Sequence, residues 1–174
     1  MSKVRPFISS KQIQRAISSI AQEINDDYRD QDFIIINVLQ GADRFVFDLE
    51  NILAKLRYPP KVECIKITSY ITQNSTGVIK THFTPPKEAI EDKHILIIDD
   101  IIDSGLSLQW LIRHFEQKCP RSIKTCTLLD KQERREVLIT PNYYGFIIPN
   151  LFVVGYGMDL DGEYRELPYI GELM

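Results

Sequence analysis

"HILIIDDIIDSGLSL" (94 to 108) places three carboxylates, Asp99, Asp100 and Asp103, directly behind an apolar run and directly before a Ser-Gly-x-Ser turn. Successive side chains on a strand face opposite ways, so Asp99 and Asp100 cannot both be ordinary surface residues on one face of a buried sheet. Where such a strand ends, both can reach ribose hydroxyls or a divalent cation, the hard oxygen-ligand chemistry that carboxylates suit. The next residues, "DSGLS" (103 to 107), carry small or hydroxylated side chains and a glycine at the expected start of a helix. Unpaired amides and the helix dipole attract phosphate there. Ser104 and Ser107 add hydroxyl donors. The string as a whole predicts a sugar-phosphate site.

The flanking chain repeats the strand-to-helix alternation. Ile13, Ile17, Ile20, Ala21 and Ile24 recur at helical spacing behind Ser9 and Ser10, which predicts a capped amphipathic helix. "FIIINVL" (33 to 39) reads as a buried strand. Phe45, Leu49, Ile52, Leu53 and Leu56 mark a second helix stopped before Pro59 and Pro60, and "KVECIKI" (61 to 67) resumes as a strand. "SYITQNSTGVIKTHFTPP" (69 to 86) is polar, rich in Thr and Ser, and ends in two prolines, which predicts a long mobile lid and not a core element. After "HILII" come the helix "SLQWLIRHF" and the strands "SIKTCTLL", "GFII" and "LFVVGY". The pattern predicts an α/β fold, a mostly parallel twisted sheet flanked by helices, with ligands beyond the carboxyl ends of the strands.

At 174 residues and 44% apolar content, the chain reads as one domain, 1–174. No stretch approaches a membrane span, and the N-terminal segment lacks the apolar centre of a signal peptide, so a cytoplasmic protein with no membrane partner is expected. Cys64, Cys119 and Cys126 lack metal or redox spacing and read as reduced packing residues. A net charge of −3 gives no basic field for nucleic acid, so no nucleic-acid partner is expected. Other α/β readings fail on their motifs. None of Gly41, Gly77 and Gly105 begins the phosphate-binding loop of a nucleotide triphosphatase, and in "GYGMDLDG" (155 to 162) Leu160 takes the last glycine position of a dinucleotide fingerprint. A signalling receiver would carry its acids near the N-terminus, and "DLDGE" is an incomplete calcium loop.

Residues 95 to 108 resemble the phosphoribosyl pyrophosphate signature of the type I phosphoribosyltransferases: apolar strand, two acids, two apolar residues, then D-[ST]-G-x-[ST]. "VLQGADRF" (38 to 45), "SY" (69 and 70), "LLDKQERR" (128 to 135) and "FVVGYGMDLDGEYRELPYIGEL" (152 to 173) extend the resemblance, in order and spacing, to the bacterial hypoxanthine-guanine members of that family. The resemblance implies the type I phosphoribosyltransferase fold with a small C-terminal hood, and transfer of a 5-phosphoribosyl group from phosphoribosyl pyrophosphate to N9 of a 6-oxopurine with Mg²⁺.

It also implies roles for individual residues. Asp99 and Asp100 would serve the ribose hydroxyls and metal, Asp103 the purine N7 as proton acceptor, and Asp103, Ser104, Gly105, Leu106 and Ser107 the 5-phosphate. Lys131 would donate to the purine 6-oxo group, Phe152 would stack on the ring, and the backbones of Val153 and Asp159 would meet the exocyclic edge. Asp159 would hold a second Mg²⁺, Arg165 with Gln40 and Gly41 would bind pyrophosphate, and Ser69 and Tyr70 would begin the lid. The family usually carries Lys or Arg where Gln40 stands, and Asp43 adds an acid nearby, so less positive charge is expected at the pyrophosphate loop. The resemblance further implies a homo-oligomer, dimer or tetramer. Its alternatives are a xanthine-preferring relative and a phosphoribosyl-pyrophosphate-sensing nucleic-acid regulator of the same fold.

Overall fold

Ser9 separates the first strand from the first helix in the computed structural model, which describes residues 3–57, 59–72 and 75–174 but not the side chains of 69–72 and 75–78. Its hydroxyl accepts from the Gln12 amide while the Gln12 side chain accepts from the Ser9 amide at 3.0 Å. This reciprocal cap satisfies two orphan donors and starts α1 (Ser10–Asp27), whose five predicted apolar residues are all buried. The second predicted helix is α2 (Asp43–Leu56). The third, α4 (Leu106–Glu116), follows a short α3 (Lys87–Ile90).

The main sheet contains β2 (Phe33–Leu39), β3 (Lys61–Thr72), β4 (Ser75–Phe83), β5 (His94–Ile102), β6 (Ser122–Asp130) and β7 (Tyr143–Ile147). Their order is β4-β3-β2-β5-β6-β7, with only β4 antiparallel to its neighbour. Period-two alternation sorts the apolar residues: Phe33, Ile35, Leu96 and Ile98 pack with α1 and α2, whereas Ile34, Ile36, Ile95 and Ile97 pack with α4. The chain therefore leaves adjacent β2 and β5 toward opposite faces. A crevice opens between their carboxyl ends, where open α/β sheets bind ligands.

Four expectations need correction. First, the acids do not stand past the strand: β5 continues to Ile102 and pairs Asp99 with Thr127 of β6, while its pairing with β2 stops at Ile98. Second, the segment from 69 to 86 is mostly a β-hairpin, with Ser69 opposite Ile79 and Tyr70 opposite Val78, because alternating Thr and Ile residues suit an edge pair. The side chains of Ser69 and Tyr70, assigned to the lid, lie outside the described residues. Third, only Val153–Val154 of "LFVVGY" is strand, β8, in a second, three-stranded sheet. That sheet forms the hood and borrows the unanticipated N-terminal β1 (Val4–Ile8), which pairs with β9 (Ile170–Leu173). Fourth, Cys126 is buried as expected, but Cys64 is only half-buried and Cys119 is exposed.

Candidate active site

The turn after β5 folds as the small residues of "DSGLS" allow. Gly105 takes φ +85°, and a side chain there would strike Ile139 at 2.7 Å and Arg135 at 2.9 Å. Gly105 itself offers no capping side chain to α4, so first-turn amides beyond Leu106 lack an intrahelical acceptor. Ser104 Oγ accepts from the Leu106 amide at 3.3 Å, and Asp99, Asp100, Asp103, Ser104, Gly105 and Ser107 line one cavity of about 210 Å³. Of the predicted ribose and phosphate residues, all but Leu106 are thus brought to one cavity.

Asp99 and Asp100 stand at the floor of this cavity, half-buried. Asp99 Oδ1 accepts from the Asp100 amide at 3.1 Å and Asp100 Oδ1 from the Ile101 amide at 3.0 Å. Crowding by the surrounding protein pushes the Asp99 carboxyl well above the usual carboxylate range, and the Asp100 charge pushes the same way. Burial also raises Asp100, against the pull of its hydrogen bonds and of the Arg165 charge. Gly41 abuts the Asp100 carboxylate, since a Cβ there would lie 1.9 Å from Asp100 Oδ2. The adjoining Leu39–Gln40 peptide bond is cis. Asp43 does not compete for this space, because its carboxylate accepts from Asn37 Nδ2 at 2.9 Å.

Lys131 and Asp103 meet although 28 residues separate them. The 3-10 turn Gln132–Arg134 folds the chain back after β6, and the Lys131 amide donates to the Ile102 carbonyl at 2.9 Å. Lys131 is 7% exposed, and its Nζ lies 3.2 Å from Asp103 Oδ2. Arg134 Nε donates to the other oxygen at 2.8 Å, and Arg135 Nη1 donates to the Asp103 carbonyl at 2.7 Å while its Nη2 pairs with buried Asp130. The two arginines escaped the sequence reading, although "KQERR" is the most basic stretch of that segment.

The hood contributes the remaining predicted residues. Phe152 is 52% exposed, as a free stacking face requires, whereas Val153 is buried and paired to Glu172. Arg165 forms an ion pair of 2.6 Å with Asp159 and donates to the Gly157 carbonyl at 2.6 Å. The predicted pyrophosphate and second-metal residues therefore neutralise each other. Gly157, at φ +98°, allows the hood to touch the Gly41 loop, since a Cβ would meet the Gly41 carbonyl oxygen at 2.6 Å. Arg44 of α2 fastens the hood from below: its Nη1 donates to the Leu167 carbonyl at 3.1 Å, and its guanidinium lies over the Tyr156 ring at 4.9 Å. Tyr156 in turn donates to Asp48, which also accepts from Gln14 at 2.8 Å. Arg44 and Asp48 share a helix face at i,i+4 spacing, the one local signal that could have found them.

A mostly parallel sheet with paired acids and a glycine-started phosphate turn at its crevice is the platform of the type I phosphoribosyltransferase class. The phosphoribosyl transferase domain matches residues 9–161, and the chain belongs to that family. It is similar to the hypoxanthine-guanine phosphoribosyltransferase of Mycobacterium avium, 40% identical over 173 residues that span 96% of this chain and 84% of the relative. The Bacillus subtilis enzyme of that name is 37% identical over 171 residues, spanning 96% and 91%. A crystal structure of the hypoxanthine-guanine phosphoribosyltransferase from Bacillus anthracis superposes with a TM-score of 0.87 at 35% identity, covering 100% of this chain and 99% of that one.

Proposed function

We propose that this chain transfers the 5-phosphoribosyl group of phosphoribosyl pyrophosphate to N9 of hypoxanthine or guanine, releasing pyrophosphate and forming a purine nucleotide in salvage. The observation that carries this reading is the convergence of Asp99, Asp100 and the 103–107 turn on one cavity, with Lys131 3.2 Å from Asp103. The first-turn amides of α4, with Ser104 and Ser107, hold the 5-phosphate. Asp99 and Asp100 take the ribose hydroxyls.

The same two acids fit Mg²⁺. Burial and mutual repulsion disfavour two neighbouring carboxylate charges, and a cation relieves both; the substrate's own phosphate oxygens complete a hard donor set. Bound there, Mg²⁺ would supply charge neutralisation for the leaving pyrophosphate. Arg165 and the amides around Gln40 and Gly41 bind that pyrophosphate, and Asp159, once parted from Arg165, would hold a second Mg²⁺. Lys131 donates to the purine 6-oxo group, Phe152 stacks on the ring, and the backbones of Val153 and Asp159 meet the exocyclic edge. As N9 bonds to the ribose carbon and the bond to pyrophosphate breaks, the N7 proton passes to Asp103. The β3–β4 hairpin beginning at Ser69 and Tyr70 closes as a lid and excludes water. Residues 1–174 act as one domain within a cytoplasmic homo-oligomer, dimer or tetramer.

The test is direct: the protein is incubated with phosphoribosyl pyrophosphate, Mg²⁺ and each of hypoxanthine, guanine, xanthine and adenine, and the nucleotides are identified. The expected products are those of hypoxanthine and guanine, with none in excess chelator. Adenine used as well as hypoxanthine, or full turnover in chelator, defeats the reading. Salt-sensitive nucleic-acid binding without turnover would assign the chain to regulation instead.

A further inference from the structure

We propose that Arg134 is a positioning residue that holds the Asp103 carboxylate aimed while the purine engages Lys131. The inference rests on the reading of Asp103 as proton acceptor and adds the group that sustains it. The two carboxylate oxygens are divided between two cations: Oδ2 faces Lys131 Nζ at 3.2 Å, and Oδ1 accepts from Arg134 Nε at 2.8 Å. These contacts differ in kind. The Lys131 ammonium, on a flexible four-carbon stem, can turn toward a 6-oxo group; the Arg134 guanidinium is a planar donor with fixed direction.

Both ends of the Arg134 contact are anchored. The Arg134 amide closes the 3-10 turn onto the Lys131 carbonyl at 3.1 Å, and Arg135 grips the Asp103 carbonyl at 2.7 Å. When purine draws Lys131 away, Arg134 remains on Oδ1 and leaves Oδ2 open to receive the N7 proton. The charged groups facing Asp103 are Lys131 and Arg134 on its carboxylate, Arg135 on its carbonyl with Asp130 behind it, and Asp99 and Asp100 across the cavity. With Lys131 engaged by substrate, Arg134 is the cation left on the carboxylate to offset those acids. A cation held beside a carboxylate favours the form that can accept a proton, and without Arg134 the Asp103 carboxylate is free to swing after Lys131 and lose its aim. The Arg134 side chain is 48% exposed, so the contact adds little to folding and its effect falls on chemistry.

The test is the pH profile of kcat/KM for hypoxanthine at saturating phosphoribosyl pyrophosphate and Mg²⁺, in the wild type and in Arg134→Gln, Arg134→Lys and Asp103→Asn. Arg134→Gln is expected to lower kcat/KM at pH 7 by about 2- to 10-fold, mostly through kcat, and to move the acid limb to higher pH. Arg134→Lys should restore most of both, and thermal melts of the Arg134 variants should stay close to the wild type. If Arg134→Gln melts early yet keeps the wild-type acid limb, the arginine is merely structural and the inference is overturned. An acid limb that survives Asp103→Asn overturns the base reading and this inference with it. One that vanishes in Asp103→Asn but stays in place in Arg134→Gln overturns this inference alone.

Discussion

The main sheet and the hood hold their groups by opposite means. Asp99 and Asp100 stand on β5 directly after Ile95, Leu96, Ile97 and Ile98, all four fully buried, so their backbone is held by packing on both faces. Phe152 and Asp159 stand on irregular chain and Arg165 on a turn, beside the two-residue β8. Tyr156, Asp161 and Tyr164 have positive φ there, and local bonds such as Gly157 N to Arg165 O at 3.0 Å close the turns. The difference teaches where each kind of group belongs. On the proposed reading, the carboxylates that face the ribose rest on a packed strand, whereas Arg165 and Asp159, which would part from each other to meet substrate and metal, rest on segments tied by local hydrogen bonds.

The contact between the two regions is the sharpest place to break the comparison. Gly41→Ala puts a methyl group inside the Asp100 carboxylate, so Asp100 must move. Displacing a reacting geometry by about 1 Å costs on the order of 100-fold, and nucleotide formation is expected to fall by about 100-fold or more with the fold retained by circular dichroism. A wild-type rate would show that the acids need no fixed place.

Lys131→Met probes a cation that already has an internal partner. A hydrogen bond from a charged donor is worth roughly 1.5–3 kcal/mol, so kcat/KM for hypoxanthine should fall by about 10- to 150-fold, with a much smaller effect on adenine, whose amino group offers no acceptor. Intact hypoxanthine kinetics would remove Lys131 from base recognition. Arg44→Met tests the hood's fastening. Freed from the Leu167 carbonyl and Tyr156, the hood should hold Arg165 less well, and KM for phosphoribosyl pyrophosphate should rise by about 3- to 10-fold with little change in kcat. A fall confined to kcat would contradict the hydrogen-bonded-hood account.

The smallest effect is expected where the sheet body carries an ion pair away from the site. Asp27 accepts from Lys124 and Tyr143, both at 2.6 Å, and these bonds, Lys124 first, hold its carboxyl below its ordinary value. A carboxyl with a depressed folded pKa contributes stability that is present above its unfolded value, near 3.8, and is lost as pH falls through the folded one. Tyr143→Phe should therefore lower the melting temperature at pH 7 by no more than a few degrees, because Asp27 is 48% exposed, and the difference should shrink below pH 4. A difference that grew with acid would reverse the sign assigned to Asp27.

The sequence alone determined the α/β pattern, both long N-terminal helices and the acid-plus-turn string, because strand alternation, helical spacing and a glycine needing positive φ are local signals written within a few residues. It misread the hairpin after β3, where Thr and Ser content suggested a loop although alternation suits an edge strand. Tertiary structure alone decided who partners whom. Val4 meets Leu173, Asp103 meets Lys131 and Arg134, and Arg44 meets Leu167 across 28 to 169 residues of chain. Such pairings leave no periodicity to read. They arise when packing brings distant strands and turns together, where each backbone or charged group takes the nearest complementary partner.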